Sequence, residues 1–170
     1  ENNERVVFMW WNSQFSASQS LMVATHGPVL NSASDFNANN SYQIGNRARP
    51  IAAVYYSQVD VCCFMVQDVD SNLGILYMLE TTTSSTVSSN IVTKRAAITL
   101  DSSNGIEFGG LATNGTVIVA AYKGPTVSVT YRIITGTNET TYTTTTAAVF
   151  NDSSNVVEEV DIAYDSKRLL

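Results

Sequence analysis

Charged side chains are scarce in this sequence: Asp, Glu, Lys and Arg make up 14% of its 170 residues, whereas ordinary soluble domains contain about a quarter. Ser, Thr and Asn take their place; threonine suits strands, and serine and asparagine suit the turns between them. The nine basic residues are mostly scattered in pairs, and the net charge is −6. Because phosphate binding requires clusters of Lys and Arg, we expect no nucleic-acid partner.

Residue patterns typical of catalysis and metal binding are also missing. The one histidine, His26, stands beside a Gly-Pro turn, and no serine has a G-x-S-x-G context. The two cysteines, Cys62 and Cys63, are adjacent and lack the CxxC spacing of a metal or redox site. We interpret them as two mostly buried apolar side chains, with a vicinal disulfide as the alternative. The sequence therefore predicts no enzyme activity, no metal and no cofactor.

One acidic turn resembles the start of a calcium-binding loop. Asp68, Asp70 and Asn72 alternate as such a loop requires, but Leu73 and Leu79 stand where it needs glycine and glutamate. We therefore favour a hairpin turn.

No run of about 18 apolar residues occurs, so we expect no membrane span. The sequence opens on Glu1 without an initiator methionine, as a processed chain does. It also contains N-x-S/T sequons, the acceptor pattern for N-glycosylation, at Asn39, Asn114, Asn138 and Asn151. We expect a secreted, extracellular glycoprotein.

Short apolar runs separated by turn signals fill the chain. Val59–Val66 and Gly74–Leu79 flank a polar turn, as the strands of a β-hairpin do. Residues 29–48 are polar, Asn37–Ser41 reads as a loop, and Val156–Tyr164 reads as the last strand. No segment has a sustained helical stripe of apolar residues. The pattern of about a dozen short strands predicts an all-β fold.

One stretch of the sequence occurs twice. Residues 96–104 read AAITLDSSN and residues 147–155 read AAVFNDSSN, with six of nine positions identical. Glu107 and Glu158 follow at the same place in each copy. The match indicates a duplicated unit of about 50 residues.

Alignment of the strongest apolar runs divides a single domain, residues 1–170, into three units at approximately 5–56, 59–112 and 116–164. Four strands per unit at this period are typical of β-propeller blades, of which a ring has about four to eight. Three units predict a homodimer with six blades, or a partner chain that supplies the rest. The strands can also be read one strand out of phase, with Val157–Tyr164 beside Arg5–Trp11 in a blade built from both termini. A β-sandwich or jelly roll is the alternative fold.

The stretch VDVCCFMVQDVDSNLGILYMLE, at Val59–Glu80, resembles a blade of the fungal fucose-specific lectins. That family has an apolar strand, a D-G-N type of turn and a second strand, with six blades in its propeller. The resemblance implies fucose binding by an arginine, a glutamate and an aromatic ring in each site. This chain has no arginine near Cys62 or Cys63, where that family would place one, and Glu80 is the one glutamate nearby.

Aromatic and polar side chains supply the candidate binding site. A sugar stacks its apolar face on an aromatic ring, and its hydroxyls bond to Asn, Asp, Glu or Arg. Adjacent aromatics, such as Tyr55 and Tyr56, place one ring on each face of a strand. The candidate ligand-binding residues are Trp11, Arg49, Tyr56, Glu107, Tyr122, Arg132 and Glu158.

Three functions are compatible with this pattern. The first is a secreted, lectin-like protein that binds a glycan. The second is a secreted module for protein–protein interaction, or an effector, that binds no sugar. The third is a glycoside hydrolase, which needs a pair of carboxylates. The duplicated pairs Asp101/Glu107 and Asp152/Glu158 favour structural turns over a single catalytic site.

Overall fold

The computed structural model describes most of the chain as β-strands and their connections. It describes residues 6–12, 20–26, 42–45, 47–82, 91–102, 105–124, 128–138, 140–150 and 157–166, with the backbone alone for the first three ranges and for 81–82 and 91–93. The strands are β1 (Val6–Asn12), β2 (Ser20–His26), β3 (Tyr42–Gly45), β4 (Ala48–Tyr56), β5 (Val61–Asp68), β6 (Leu73–Thr82), β7 (Ile91–Asp101), β8 (Phe108–Thr113), β9 (Ile118–Lys123), β10 (Val129–Gly136), β11 (Tyr142–Thr144) and β12 (Ala148–Val149). No helix occurs within these ranges, and the predicted all-β class is confirmed.

The strands form three antiparallel sheets in which strands adjacent in sequence pair with each other. The first sheet has the order β1-β2-β3, and the second has the order β4-β5-β6-β7. The third sheet has the order β8-β9-β10-β11, and β12 also pairs with β10. Because β11 and β12 pair with successive parts of β10, together they take the place of a fourth strand.

The second sheet is buried on both faces. Cys63 and Met65 of β5 belong to one apolar cluster, and Phe64 and Val66 belong to another. All four side chains are exposed by 2% or less. Since successive side chains of a strand point to opposite faces, other parts of the chain must cover this sheet on both sides.

The third sheet covers one of these faces. The shared core joins Met65, Leu76 and Leu100 of the second sheet to Ile118, Tyr122 and Ile134 of the third. Gly109 allows a close approach there, because a Cβ at this position would lie 2.8 Å from the Met65 side chain. The first strands of the two sheets, β4 and β8, contact each other.

The first sheet lies on the opposite side of the second. Its strands β1 and β2 contact β4, and β2 also contacts β7. The second apolar cluster, which includes Phe64, Val66 and Leu79, is buried on that side. The three sheets therefore follow one another in a stack, in the order in which they occur in the chain.

Segment 157–166 crosses the outer face of the third sheet. A Cβ at Gly110 of β8 would lie 2.9 Å from the backbone nitrogen of Ile162 and 2.9 Å from a carboxylate oxygen of Asp161. The sequence predicts a strand over Val156–Tyr164, but residues 157–165 form no strand. A strand requires a hydrogen-bonding neighbour, and this segment lies on a sheet face rather than along an edge.

The boundaries between the sheets lie one strand away from the boundaries between the predicted units 5–56, 59–112 and 116–164. The runs predicted to close the first two units, Ile51–Tyr56 and Ile106–Ala112, lie instead at the first strands of the second and third sheets, β4 and β8. The turns within a sheet and the links between sheets have the same polar composition, so composition cannot set the phase. The two copies of the duplicated stretch lie in the last strands of the second and third sheets, where Ala97 pairs with Tyr77 and Ala148 pairs with Tyr131. Asp101 and Ser102 therefore begin the link between two sheets.

Two further features bear on the sequence predictions. β3 and the start of β4 lie within the polar stretch 29–48, and the predicted loop Asn37–Ser41 lies outside the described residues. Cys62 and Cys63 lie in the continuous strand β5, and no disulfide joins them. Burial raises the pKa of the Cys63 thiol far above its usual value, with a smaller contribution from Cys62. Within the described ranges, no helix is long and apolar enough to cross a membrane.

Candidate functional site

A polar cleft opens at the strand ends of the second and third sheets, where two hairpin turns come together. One turn, residues 57–60, joins β4 to β5, and the other, residues 137–141, joins β10 to β11. The cleft has a volume of about 500 Å³. It is lined by Ser57, Gln58, Val59, Asp60, Thr137, Asn138 and Thr140.

Tyr56 connects the sheets that carry these two turns. Its side chain is fully buried. Its hydroxyl donates to the Thr116 carbonyl at 2.5 Å and accepts from the Gly136 backbone N–H at 3.1 Å. The cleft is thus held by a hydrogen-bonded core residue, which fixes the spacing of its two sides.

The turns themselves are ordered by side chains that bond to nearby groups. Asn138 accepts backbone N–H bonds from Thr140 at 2.9 Å and Thr141 at 2.8 Å. Asp60 has a φ of 53°, a left-handed conformation that Asp and Asn adopt more readily than most residues. The Tyr55 hydroxyl donates to Asp60 at 2.7 Å.

The lining of the cleft combines hydroxyls, amides and a carboxylate. Ser57 and Thr137 can each donate and accept, and Gln58 offers both donors and an acceptor. Asp60 uses one oxygen for Tyr55, and an ionised carboxylate has further acceptor capacity. This set can both donate hydrogen bonds to a ligand and accept them from it.

Arg49 and Glu107, two of the predicted ligand-binding residues, lie at the opposite strand ends of the second and third sheets. Arg49 donates to the Gln67 side chain at 3.2 Å and to the backbone carbonyls of Ile106, at 3.0 Å, and Glu107. Glu107 forms an ion pair with Lys123 at 2.7 Å. Both residues connect parts of the fold, since Arg49 joins the second sheet to the start of the third.

Tyr122 and Arg132 form a second connection between these sheets. The Tyr122 hydroxyl and the Arg132 Nε both donate to the Leu100 carbonyl, at 2.7 and 2.9 Å. Arg132 also donates to the Thr145 carbonyl at 2.9 Å. Burial raises the pKa of Tyr122, opposed by the hydrogen bond and positive charge of Arg132. Tyr122 is 1% exposed, so its ring is not a surface for stacking a ligand.

The six predicted residues whose side chains are described do not form one site. Tyr56 lies below the cleft, while Arg49 with Glu107 and Tyr122 with Arg132 form two separate structural connections. Glu158 is exposed on segment 157–166. Trp11 belongs to β1, and its side chain lies outside the described residues. The sequence analysis missed the cleft residues, although the turn composition of Ser57–Asp60 and the Asn138 sequon marked both loops.

A second concavity is apolar and lies on the outer face of the third sheet. Its volume is about 470 Å³, and it is lined by Val119, Ala121, Val129, Tyr131, Phe150 and residues 159–162. Phe150 is 77% exposed, and its ring meets that of Tyr131 edge to face, with the centroids 6.5 Å apart. Exposed apolar surface of this kind is typical of interaction sites.

The acidic turn at residues 68–72 has the geometry of a hairpin. Asp68 accepts from the backbone N–H groups of Asp70 and Ser71, at 3.0 and 3.1 Å. Asp70 forms an ion pair with Arg47 at 3.0 Å. Within the described ranges, no group of three or more His, Cys, Asp or Glu side chains is arranged to hold a metal ion.

No protein-family model, no curated protein and no solved structure matches this chain. The resemblance of Val59–Glu80 to fungal fucose-specific lectins therefore stays a prediction from the sequence. In the structure this stretch includes the hairpin of β5 and β6.

Proposed function

We propose that this chain is a secreted, non-enzymatic carbohydrate-binding protein whose sugar site is the polar cleft. The observation that carries the proposal is the chemistry of the cleft lining. Its hydroxyls, amides and single described carboxylate suit the alternating donors and acceptors of a neutral sugar. Its volume of about 500 Å³ is in the range of small-molecule sites.

The sheets of this protein are the blades of a β-propeller in this proposal, and a second copy or a partner chain completes the ring. Support comes from the order of the stack: consecutive antiparallel meanders follow one another, with β4 against β8. The repeated unit of about 50 residues is also typical of propeller blades. A β-sandwich is the competing arrangement for two packed sheets.

Binding is favoured over hydrolysis by the carboxylates of the cleft. A glycosidase requires two carboxyl groups that face the same bond, about 5–10 Å apart. Among the described lining residues, Asp60 alone is acidic. A hydrolase is therefore the weaker proposal.

Secretion is supported by the sequons that the structure describes. Asn114 and Asn138 both lie in exposed hairpin turns, where an enzyme could reach them. Asn39 and Asn151 lie outside the described residues. A glycan on Asn138 would stand at the rim of the cleft, so binding should be measured on protein from a host without N-glycosylation.

A glycan array, followed by calorimetric titration of the best ligand, tests sugar binding. Asp60→Asn keeps a residue that tolerates the positive φ but removes the charge, and we expect at least about tenfold weaker binding. Asp70→Asn is the matched control, because Asp70 is an exposed turn aspartate at the other end of the second sheet. Sugar binding at the cleft is refuted if no glycan binds, or if both variants bind as the wild type does.

A protein–protein interaction module, such as a secreted effector, is the second candidate. The apolar concavity with exposed Phe150 favours it. Phe150→Ser would weaken binding to a protein partner and leave sugar affinity unchanged, whereas Asp60→Asn would do the reverse.

A further inference from the structure

Segment 157–166 has the sequence of a first strand but no sheet of its own. The repeat offset of 51 residues aligns Val157–Tyr164 with Ile106–Thr113, which contains β8, the first strand of the third sheet. The segment lies on the outer face of β8 at Gly110, much as β8 lies against β4. Residues 157–165 form no strand, and no described strand of this chain continues a sheet from them.

The first sheet has one strand fewer than the second sheet among the described strands. Its strand β1 aligns in sequence with β5 and β9, which are the second strands of their sheets. In the part of the chain that the structure describes, β1 pairs with β2 alone, and the sheet has three strands. It thus corresponds to the second, third and fourth strands of a complete sheet, and no described strand occupies the first position beside β1.

These two features lie at opposite ends of the stack. The first sheet contacts β4 and β7 of the second sheet, and segment 157–166 covers the far side of the third sheet. With the second and third sheets between them, the segment cannot pair with β1 of its own copy.

We propose that residues 157–164 of one copy pair with β1 of a second copy and complete a four-stranded antiparallel sheet. The inference rests on the propeller arrangement proposed above and identifies its partner as another copy of this chain. Two copies exchange strands in both directions, so each open position is filled and the assembly closes around a two-fold axis. The first sheet of the partner then covers the apolar concavity of Tyr131 and Phe150.

The hairpins of the other sheets give the register of this pairing. Tyr56, the last residue of β4, faces Val61, the first residue of β5, and Thr113 faces Ile118 in the same way. Tyr164 is the repeat counterpart of Thr113. Tyr164 of one copy therefore faces Val6, the first residue of β1, in the other, with Cα atoms about 4.5–5.5 Å apart.

Disulfide cross-linking tests this register, since such Cα distances suit a disulfide. Val6→Cys and Tyr164→Cys are made as separate proteins, mixed, incubated to allow exchange of copies and then oxidised mildly. We expect a covalent two-chain species on a non-reducing gel from the mixture and little from either protein alone. The matched control pairs Val6→Cys with Asp161→Cys, which this register places about three residues too far along the strand to link.

Each result decides the proposal. A two-chain species from the Tyr164 mixture, several-fold above the Asp161 mixture, supports strand exchange. Equal cross-linking in both mixtures, or none in either, overturns it, as does a Val6→Cys/Tyr164→Cys double variant whose new disulfide forms within one chain. Sugar binding is measured separately: a cross-linked dimer that binds no glycan refutes the lectin function alone, and a glycan-binding chain without the cross-link refutes the exchange alone.

Discussion

Two buried tyrosines join the second and third sheets, and removing their hydroxyls should cost different amounts of stability. In Tyr56→Phe the Gly136 N–H loses an acceptor at 3.1 Å in a buried position. The Thr116 carbonyl loses a donor as well, but Thr116 is exposed, so water can replace that bond. An unsatisfied buried donor costs about 1–3 kcal/mol and an ordinary net hydrogen bond about 1, so we expect a loss of about 2–4 kcal/mol.

In Tyr122→Phe the Leu100 carbonyl keeps its second donor, the Arg132 Nε at 2.9 Å. No buried backbone group is left without a partner by this change, and the expected loss is about 1 kcal/mol. The two variants remove the same atom from side chains that are almost equally buried, at 0% and 1% exposure. They therefore form a matched pair that differs in whether a buried backbone group loses its hydrogen-bond partner.

Urea unfolding, followed by fluorescence and circular dichroism at one fixed protein concentration, measures the difference. With a slope of about 2 kcal/mol per molar urea, Tyr56→Phe should lower the midpoint by about 1–2 M and Tyr122→Phe by about 0.5 M. Unchanged slopes show that the comparison reports stability. Equal losses, or a larger loss for Tyr122→Phe, would refute the hydrogen-bond assignment.

Three further predictions concern the core and the packing of the sheets. Burial raises the pKa of Cys63, so the protonated thiol stabilises the fold fully below the ordinary thiol pKa of about 8.5. Above that pH, the free energy of unfolding should decline by up to about 1.4 kcal/mol per pH unit. Urea midpoints from pH 7 to 10 should fall above pH 8.5 in the wild type and less in Cys63→Val. Arg49→Met should lower the free energy of unfolding by about 1 kcal/mol, because the backbone carbonyls of Ile106 and Glu107 lose a donor; a neutral result in urea unfolding would contradict this. Gly110→Ala should displace segment 157–166, since its Cβ would lie 2.9 Å from the Ile162 nitrogen; faster trypsin cleavage near Lys167, against an Ala53→Ser control, checks it.

The alternation of side chains along the strands predicted that adjacent residues face opposite sides. It did not predict which of them is buried. Tyr55 and Tyr56 were expected to face opposite sides, and they are 54% and 0% exposed. Alternation does not say which of the pair faces inward, and the predicted site residue, Tyr56, is the buried one. The choice depends on the position of β8, which lies more than 50 residues along the chain.

The duplicated stretch predicted the repeat but not its phase. Ala97 and Ala148 hold the same position opposite a tyrosine in each sheet, so the repeat has a structural counterpart. Hairpin turns and links between sheets both need residues that tolerate sharp bends, so Asn-Gly and Asp-Ser sequences mark either one. Whether a strand follows its predecessor in the same sheet is decided by tertiary packing, which one sequence does not reveal.

The polar cleft could not be located from the sequence because its two turns are far apart in the chain. Asp60 and Asn138 are separated by the six strands β5 to β10 and come together through the hydrogen bond between Tyr56 and Gly136. The aromatic and charged residues predicted instead, such as Arg49, Tyr122 and Arg132, have side chains that join the second and third sheets. Arg49 and Arg132 are thus charged residues that are used for structure.

In the proposed propeller this chain contributes part of a ring of sheets, and a second copy supplies the rest. Sedimentation equilibrium at micromolar concentration measures whether two copies associate. We expect a mass of about twice the 18.4 kDa of one chain. A single-chain mass that persists as the concentration is raised a hundredfold would contradict it.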